Sequence, residues 1–476
     1  MNPKDSTMLT TTLAATLLLF TQPARAHIND NLKPGSDILM KDLRWPEWDA
    51  GTYYCTWYAR FTPKGKVKNN FYGGVRTRGP KGPTGMFWTY WGDIRGVSAG
   101  RQFSGGSGYG AEGAKGGYNG RPDFLRPNSW YRFVVRVYQP KDEQKAKNSA
   151  YAGWWVKDVK KGIWYHHSTV ELMGPATGLA VNGGFVEGLT GGRPVHRVIE
   201  RRLGYGRMAG GGWYKADGIN TNLPERVSII EKGTVARVDS EYTKGKAPAD
   251  GWIRTPNQPN KPTLDPVVIE EAVVTGFERQ VSVTWSVPNT SSPQMGHRIE
   301  VFAGAGAEGK PILLDEENAN YVYGKRYDLP APARSVRLTV IDIFDQEKSV
   351  VLPVKVLNAT DSAQKPGKPV IPGLAYEFYE AAGQLKTLAD WPKTPPSRKG
   401  IVSTLDHSVR GARRNNYAMK FSGYLKAPAD GLYMFMGLFG RVTNAHRRQA
   451  GDGQRRHPRL HAGHVSGLLE QGPAPF

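Results

Sequence analysis

The 476-residue chain has one cysteine, Cys55, so it cannot form an internal disulfide. It is short of acidic residues, because 42 Asp and Glu stand against 64 Lys and Arg and give a formal net charge of +22. Past residue 26 no run is apolar enough to cross a membrane, and no long stretch has helical periodicity. These absences argue against a disulfide scaffold, a transmembrane segment in the mature chain and a helical fold.

The surroundings of Cys55 predict a structural role for it. It lies in "TYYCTWY", between Tyr54 and Trp57, a pattern typical of a core strand. A catalytic thiol is the alternative, but no nearby histidine supports it.

The first 26 residues resemble an export signal. Lys4 precedes an apolar run over residues 9–20, which is too short to span a bilayer, and Ala24, Arg25 and Ala26 form a small-x-small cleavage site. We predict a signal peptide over residues 1–26, with a secreted or periplasmic product. A buried helix is the alternative.

The basic charge narrows the range of partners. An exported basic protein meets acidic polymers, such as uronic or sulfated polysaccharides, or an anionic cell surface. Nucleic acid would suit the sign of the charge, but export and the lack of a nucleic-acid motif argue against it. A purely solubilising charge is the alternative.

Glycine (57) and proline (34) are spread along the chain, which favours short strands joined by turns. In "WYRFVVRVY", residues 130–138, Tyr131, Phe133, Val135 and Val137 face one way and the residues between them face the other. The pattern predicts a mainly β, multi-domain chain of β-sandwiches.

Two linker-like segments divide the chain, and the first of them is rich in Pro, Asn and Lys. The predicted organisation is a signal peptide (1–26), a first domain (27–243), a linker (244–266), a second domain (267–358), a linker (359–372), a partial third domain (373–436) and an atypical tail (437–476).

The first domain resembles a family of secreted proteins known as domain of unknown function 3472, over about residues 45–215. The resemblance rests on "FYGGVRTRG" (71–79), "WTYWGD" (88–93), "YGAEGAKGG" (109–117), "WYRFVVRV" and "GGFVEGL" (183–189). It implies a jelly-roll-like β-sandwich and an association with carbohydrate-related modules. The family's glycine loop here carries an alanine and an added lysine.

The second domain has alternating strands in "QVSVTWSVP" (280–288), "GHRIEVFAG" (296–304) and "SVRLTVIDIFD" (335–345). With an early tryptophan and "YDLPAP", it resembles a fibronectin type III-like or immunoglobulin-like module. That resemblance implies a spacer.

The third domain resembles the protective-antigen (PA-14) lectin domain. The matching residues are Gly373, Leu374, Phe421, Gly423, Leu425, Pro428, Gly431, Tyr433 and Phe435. An intact domain of this kind would imply a ligand loop and a possible requirement for calcium, but the resemblance stops at about Met436.

The tail over residues 437–467 has six arginines, no lysine and four histidines. Read one nucleotide out of frame, residues 446–459 permit the Asp-Gly-rich string that the lectin family has at this place. We therefore predict a frameshift near Met436, which reading the codons would test. A genuine basic tail is the alternative, and His446, His457, His461 and His464 lack regular zinc-ligand spacing.

The aromatic residues supply the predicted ligand site, because sugar rings have apolar faces that stack on aromatic rings. Alternation puts two of the trio Trp88, Tyr90 and Trp91 on one face of a strand. With Arg101 and Trp130 they would hold an anionic glycan by stacking and charge. Core packing is the alternative for each tryptophan.

Glu112 is the candidate catalytic carboxylate, in the glycine-rich loop 104–120. That loop contains a literal dinucleotide fingerprint, which we reject because no helix can follow it. Glycoside hydrolysis needs a second carboxylate, for which Asp93, Glu171 and Glu187 are candidates. No metal site is predicted, since His166 and His167 face opposite ways on a strand.

The leading hypothesis is therefore a secreted protein that binds extracellular, acidic polysaccharide. A carbohydrate-active enzyme, either a glycoside hydrolase or a polysaccharide lyase, is the second hypothesis. A surface-adhesion or structural protein is the third.

Overall fold

The computed structural model describes residues 26–48, 51–62, 70–77, 83–92, 94–99, 104–108, 116–188, 196–239, 248–320, 322–357, 371–380, 392–403, 417–426, 431–441, 459–469 and 473–475. Strands dominate, and the prediction of a mainly β, multi-domain chain is confirmed. The helical segments are α1 (Glu143–Ala146) and 3-10 turns at Pro224–Arg226, Glu231–Gly233 and Ala305–Ala307. Within these ranges no helix has the length and apolar character needed to cross a bilayer.

The first unit comprises the strands that precede residue 240. They are β1 (Ala26–Asp30), β2 (Ser36–Arg44), β3 (Thr52–Thr62), β4 (Asn70–Thr77), β5 (Pro83–Trp91), β6 (Ile94–Ala99), β7 (Ser104–Gly108), β8 (Gly116–Arg121), β9 (Tyr131–Tyr138), β10 (Ser149–Asp158), β11 (Ile163–Met173), β12 (Gly178–Gly188), β13 (Val198–Arg201), β14 (Tyr205–Met208), β15 (Trp213–Lys215), β16 (Ile219–Thr221), β17 (Val227–Ile230) and β18 (Val235–Asp239). Apart from Ala26, which opens β1, the predicted signal peptide lies outside the described residues.

Two antiparallel layers make up this unit. One runs β6–β11–β10–β9–β2, and the other runs β12–β3–β4–β5–β8–β7. They join where Leu179 of β12 pairs with Ser36 of β2. The short pairs β14–β15 and β17–β18 extend the first layer beyond β2.

Aromatic side chains from both layers meet in a single core. Trp88 of β5 packs edge-on against Trp154 of β10, with ring centroids 5.3 Å apart. Trp45 packs against Tyr54 of β3 at 5.8 Å and against Phe133 of β9 at 6.0 Å. Because these rings come from facing layers, the unit is a sandwich with its core between the sheets.

The alternation predicted for β9 is confirmed. Tyr131, Phe133, Val135 and Val137 all lie in the core between the layers. Val134 points the other way, into a second cluster. Both faces of β9 are thus buried.

The second unit is a two-sheet antiparallel sandwich, apart from one short parallel pair. Its strands are β19 (Glu271–Phe277), β20 (Gln280–Ser286), β21 (Gln294–Phe302), β22 (Leu313–Glu317), β23 (Gly324–Asp328), β24 (Ser335–Asp342), β25 (Glu347–Pro353) and β26 (Lys355–Val356). The sheets run β23–β20–β19–β26 and β22–β21–β24–β25, with β19 and β26 parallel. Valines, leucines and Trp285 fill the space between the sheets. The three alternating segments identified in the sequence become β20, β21 and β24.

The third unit is smaller in the described residues. Its strands are β27 (Leu374–Glu380), β28 (Arg398–Val402), β29 (Tyr417–Ser422), β30 (Tyr424–Lys426), β31 (Gly431–Arg441), β32 (Arg459–Leu469) and β33 (Pro473–Pro475). β27 lies between β28 and β29, while β31 pairs with β32 and β30 with β33. Pairing of backbones does not test a reading frame, so the frameshift stays a prediction.

The first and second units share a hydrophobic cluster. Met295, Ile341, Ile343 and Phe344 of the second unit join Ile38, Met40, Val134, Tyr138, Trp155, Trp164 and Tyr205 of the first. We call residues 343–346, between β24 and β25, the interface turn. Asp345 of this turn accepts hydrogen bonds from Arg136 and Arg207, with each Nη2 atom 2.6 Å from a carboxylate oxygen.

The segment over residues 248–266, predicted as a linker, also packs on the first unit. Ile253 forms a two-bond bridge with Ile219, and Gln258 is buried. The Gln258 side chain accepts from the N–H of Leu203 at 2.7 Å and donates to its carbonyl at 2.9 Å. Asp265 accepts from Lys157 and from the Trp164 indole. This part of the chain is therefore a fixed structural element.

Candidate functional site

An open groove of about 500 Å³ lies on the first unit, beside the β14–β15 hairpin. Its walls are formed by Leu203, Trp213, Tyr214, Lys215, Ala216, Asp217, Arg254, Thr255, Pro256, Asn260 and Lys261. One wall is β15 and the residues that follow it, and the other is the segment 254–261. We call it the β15 groove.

Local sequence explains the hairpin wall. "RMAGGGWYK" turns at Gly210, whose φ of +67° lies in the region that favours glycine. The N–H of Gly211 donates to the Met208 carbonyl at 2.8 Å and closes the turn. β15 then runs back along β14, and Arg207 pairs with Trp213.

Two aromatic side chains contribute to the groove. Trp213 is partly buried, and its indole packs edge-on against Phe344 of the interface turn at 5.9 Å. The Tyr214 hydroxyl contacts the Ser36 hydroxyl and donates to the Lys33 carbonyl at 3.1 Å. Burial raises the pKa of Tyr214, which therefore stays neutral at physiological pH.

Three cations and one carboxylate line the groove. Lys215 donates to the Gln258 carbonyl at 2.8 Å, and Arg254 pairs with Asp250 at 2.7 Å while about half exposed. Lys261 is exposed and forms no ion pair with any residue that the structure describes. Asp217 is the carboxylate. Because the cations outnumber it, the groove favours an anionic ligand.

The predicted roles of Trp88 and Tyr90 as ligand residues are not compatible with the structure. Both side chains lie in the core, 0% and 1% exposed, with their rings stacked 4.9 Å apart. Burial raises the pKa of Tyr90 well above its usual value. They share a face of β5, as alternation predicts, but that face points between the layers, so neither ring can stack on a sugar.

Trp91 and Trp130 lie nearer the surface. Trp91 is on the opposite face of β5, is partly exposed and packs against Tyr72 at 4.8 Å. Trp130 is partly exposed, but the guanidinium groups of Arg44 and Arg202 each lie 4.6 Å from its ring. These cations already occupy ring surface that a sugar would need.

Of the four carboxylates proposed for catalysis, the structure describes Glu171 and Glu187. Arg101, Glu112 and Asp93 lie outside the described residues. Glu171 is on β11 and Glu187 is on β12, and neither lines the β15 groove. The hypothesis of a carboxylate pair therefore stays a prediction.

His166 and His167 face opposite sides of β11, as predicted. His166 packs beside Trp155, which belongs to the hydrophobic cluster shared by the first and second units. His167 packs beside Trp154 in the core of the first unit. No group of three or more His, Cys, Asp or Glu side chains suited to a metal ion occurs in the described part of the chain. Burial raises the pKa of the Cys55 thiol to about 12, which leaves it unreactive at neutral pH.

A buried charge cluster lies inside the first unit. Asp30 accepts from Lys41 at 3.1 Å and also pairs with Arg201. Burial lowers the pKa of Lys41 to about 8, although Asp30 opposes the shift. All three side chains are 3% exposed or less, so the cluster stabilises the fold and presents no surface to a ligand.

Sequence reasoning missed the residues of the β15 groove. The three glycines that precede Trp213, Tyr214 and Lys215 could have predicted one wall. Such a run is typical of a tight hairpin, and here aromatic and basic side chains follow it. The opposite wall had no such signal, since residues 254–261 have the composition of a linker. No protein-family model matches the chain, and no curated protein matches it.

Proposed function

We propose that this protein is exported and binds an anionic polysaccharide in the β15 groove. The observation that carries the proposal is the combination, in one open groove, of Trp213 with Lys215, Arg254 and Lys261. The apolar face of a pyranose ring would lie on the Trp213 indole, because the Lys33 Nζ already lies 5.2 Å from the centroid of the Tyr214 ring. Its carboxylate or sulfate groups would lie beside the cations.

The two kinds of contact supply different properties. Stacking on an aromatic ring contributes about 0.5–1.5 kcal/mol beyond the buried area, and salt hardly changes it. An exposed ion pair contributes about 0.2–1 kcal/mol and weakens as salt is added. Binding should therefore weaken with salt but not vanish, because the stacking term persists.

Binding is favoured over hydrolysis at this site. Glycoside hydrolysis ordinarily uses two carboxylates about 5–10 Å apart. Asp217 is the one carboxylate among the described residues that line the groove. The resemblances to a secreted family and to a lectin domain also support a role in carbohydrate binding, and the predicted signal peptide supports an extracellular or periplasmic location.

The test uses the full mature chain with a panel of neutral, uronic and sulfated polysaccharides, and measures both retention and new reducing ends. We expect retention of the anionic polymers without new ends. Trp213→Ala should weaken binding about tenfold, and Lys261→Ala should weaken it about two- to fivefold and reduce its salt dependence. Lys310→Ala, at an exposed lysine of the second unit that does not line the groove, is the matched control.

Three outcomes would contradict the proposal. Equal retention of neutral and anionic polymers would mean that the groove cations do not contribute to binding. If the Trp213→Ala variant binds anionic polysaccharides as tightly as the wild-type chain does, the binding site lies elsewhere. New reducing ends would favour the enzyme hypothesis.

A further inference from the structure

The interface turn is built to hold one aromatic side chain in place. The Asp342 carboxylate accepts from the N–H groups of Phe344 at 2.8 Å and Gln346 at 2.7 Å, which fixes the turn from within. The Phe344 carbonyl accepts from Arg207 at 2.8 Å. Asp345 is held by Arg136 and Arg207. Hydrogen bonds thus fix the backbone before and after Phe344, and this fixes the position of its ring.

That ring lies between two tryptophans of the first unit. Its centroid is 5.9 Å from Trp164 and 5.9 Å from Trp213, with interplanar angles of 62° and 61°. Phe344 is 4% exposed, so the contact is desolvated. Edge-to-face pairs at this separation are attractive and directional, which makes Phe344 a support for the orientation of each indole.

Trp213 needs such support because side-chain hydrogen bonds anchor Tyr214 and Lys215 of its strand, whereas the Trp213 indole forms none with the described residues. β15 has three residues, and in the described part of the chain it pairs with β14 alone. The hairpin that carries it contains three consecutive glycines, which leave its backbone freedom high. Packing against the second unit therefore limits the positions that the Trp213 ring can adopt in the β15 groove.

We infer that Phe344 is a positioning residue for polysaccharide binding, so that the second unit completes the site of the first. The inference rests on the proposed function, because the effect of Phe344 passes through Trp213. It also revises the spacer role that the module's resemblance implied. A spacer would leave affinity unchanged when its surface is altered, whereas this unit sets the geometry of a groove residue.

A double-mutant cycle in the full chain tests the inference, with the tightest-binding anionic polysaccharide of the panel as the probe. We expect Trp213→Ala to weaken binding about tenfold and Phe344→Ala about threefold. The double variant should lose about tenfold and not about thirtyfold, because Phe344 has nothing to position once the indole is gone. The salt dependence should not change in Phe344→Ala, since the groove cations remain.

Two further variants separate positioning from general loss of stability. Leu338→Ala removes a fully buried side chain from the core of the second unit without touching the interface, and should leave affinity unchanged. Phe344→Leu keeps apolar volume and should restore most of the binding. Hydrogen exchange of the peptide that spans β15 should rise in Phe344→Ala and not in Leu338→Ala, with no ligand present.

The outcomes distinguish this inference from the proposed function. If Trp213→Ala weakens binding and Phe344→Ala does not, the inference is wrong and the groove stands. Additive losses in the double variant, or equal effects of Phe344→Ala and Leu338→Ala, would also overturn it. If the wild-type chain retains no anionic polymer, the proposed function fails, and unchanged exchange at β15 in Phe344→Ala would then reject positioning as well.

Discussion

Asp30 is the residue on which the buried charges of the first unit depend. Its carboxylate faces both Lys41 and Arg201 and accepts from the N–H of Gly204 at 3.0 Å. Burial alone would raise the pKa of Asp30, but the two cations lower it below its usual range. Asp30 is therefore ionised whenever the unit is folded at neutral pH.

Removal of this charge should destabilise the protein more than removal of one of its partners. Asp30→Asn would leave two buried cations without a counter-charge and should cost about 3–5 kcal/mol of unfolding free energy. Lys41→Met leaves Asp30 paired with Arg201 and should cost less. Denaturant unfolding of both variants measures the difference, and equal losses would contradict this description of the cluster.

The residue scale is also where sequence reasoning about the site was weakest. Alternation predicted that Trp88 and Tyr90 share a face, and they do. It could not say which face becomes the core, because both faces of β5 carry aromatic residues and the facing layer comes from β9 and β10, far along the chain. Trp213, which lines the β15 groove, was not among the predicted ligand residues.

At the scale of elements, β11 carries two buried histidines on opposite faces. Burial lowers the pKa of His166 and of His167 to about 3, with the charge of His167 adding to the shift of His166. The His167 Nε2 lies 2.9 Å from the Met86 carbonyl and donates to it. Both imidazoles are neutral in the folded protein at every pH above about 4.

These histidines predict acid sensitivity. In the unfolded chain each titrates near pH 6.5, so between about pH 6.5 and 3 the unfolded state binds more protons than the folded state. The free energy of unfolding should therefore decrease as the pH is lowered from about 6.5 to 3, by roughly 1.4 kcal/mol per pH unit for each histidine.

Denaturant midpoints from pH 7 to pH 4 measure the slope. His167→Gln keeps a donor for the Met86 carbonyl and should remove about half of the histidine contribution. His27→Gln, at an exposed histidine, is the control. A slope unaffected by His167→Gln would contradict the assignment.

Elements were the scale at which the sequence was most informative. The period-two pattern located β9, β20, β21 and β24, because a strand with a packed face must alternate. The pattern could not reveal the pairing of β14 with β15 against residues 254–261. That arrangement depends on hydrogen bonds of Gln258 with the Leu203 backbone, across more than fifty residues.

At the scale of the whole molecule, composition predicted a linker over residues 244–266. In the structure, residues 248–266 pack on the first unit through Gln258 and Asp265. A fragment that ends at residue 243 would lack Arg254 and Lys261, and so one wall of the β15 groove. It would also expose the cluster that Trp155 and Trp164 form with Phe344. Binding experiments therefore need both units.

The shared interface predicts that the first and second units unfold together. Their contact buries a hydrophobic cluster, and Asp345 neutralises Arg136, whose side chain is 6% exposed. Unfolding of the second unit alone would expose this cluster and leave that cation without its carboxylate. Scanning calorimetry should therefore give one transition for the two units.

Asp345→Ala should separate that transition into two. Asp345 is itself 46% exposed, so its loss should cost only about 1–2 kcal/mol, and Arg207 keeps Asp37 as a partner. The coupling between the units should nevertheless weaken, because both arginines lose the charge that reaches them from the second unit. Asp328→Ala, at a carboxylate 74% exposed on β23, is the matched control and should leave a single transition. Two transitions in the wild-type chain would mean that the interface is too weak to couple the units, and that Phe344 cannot hold Trp213 as proposed.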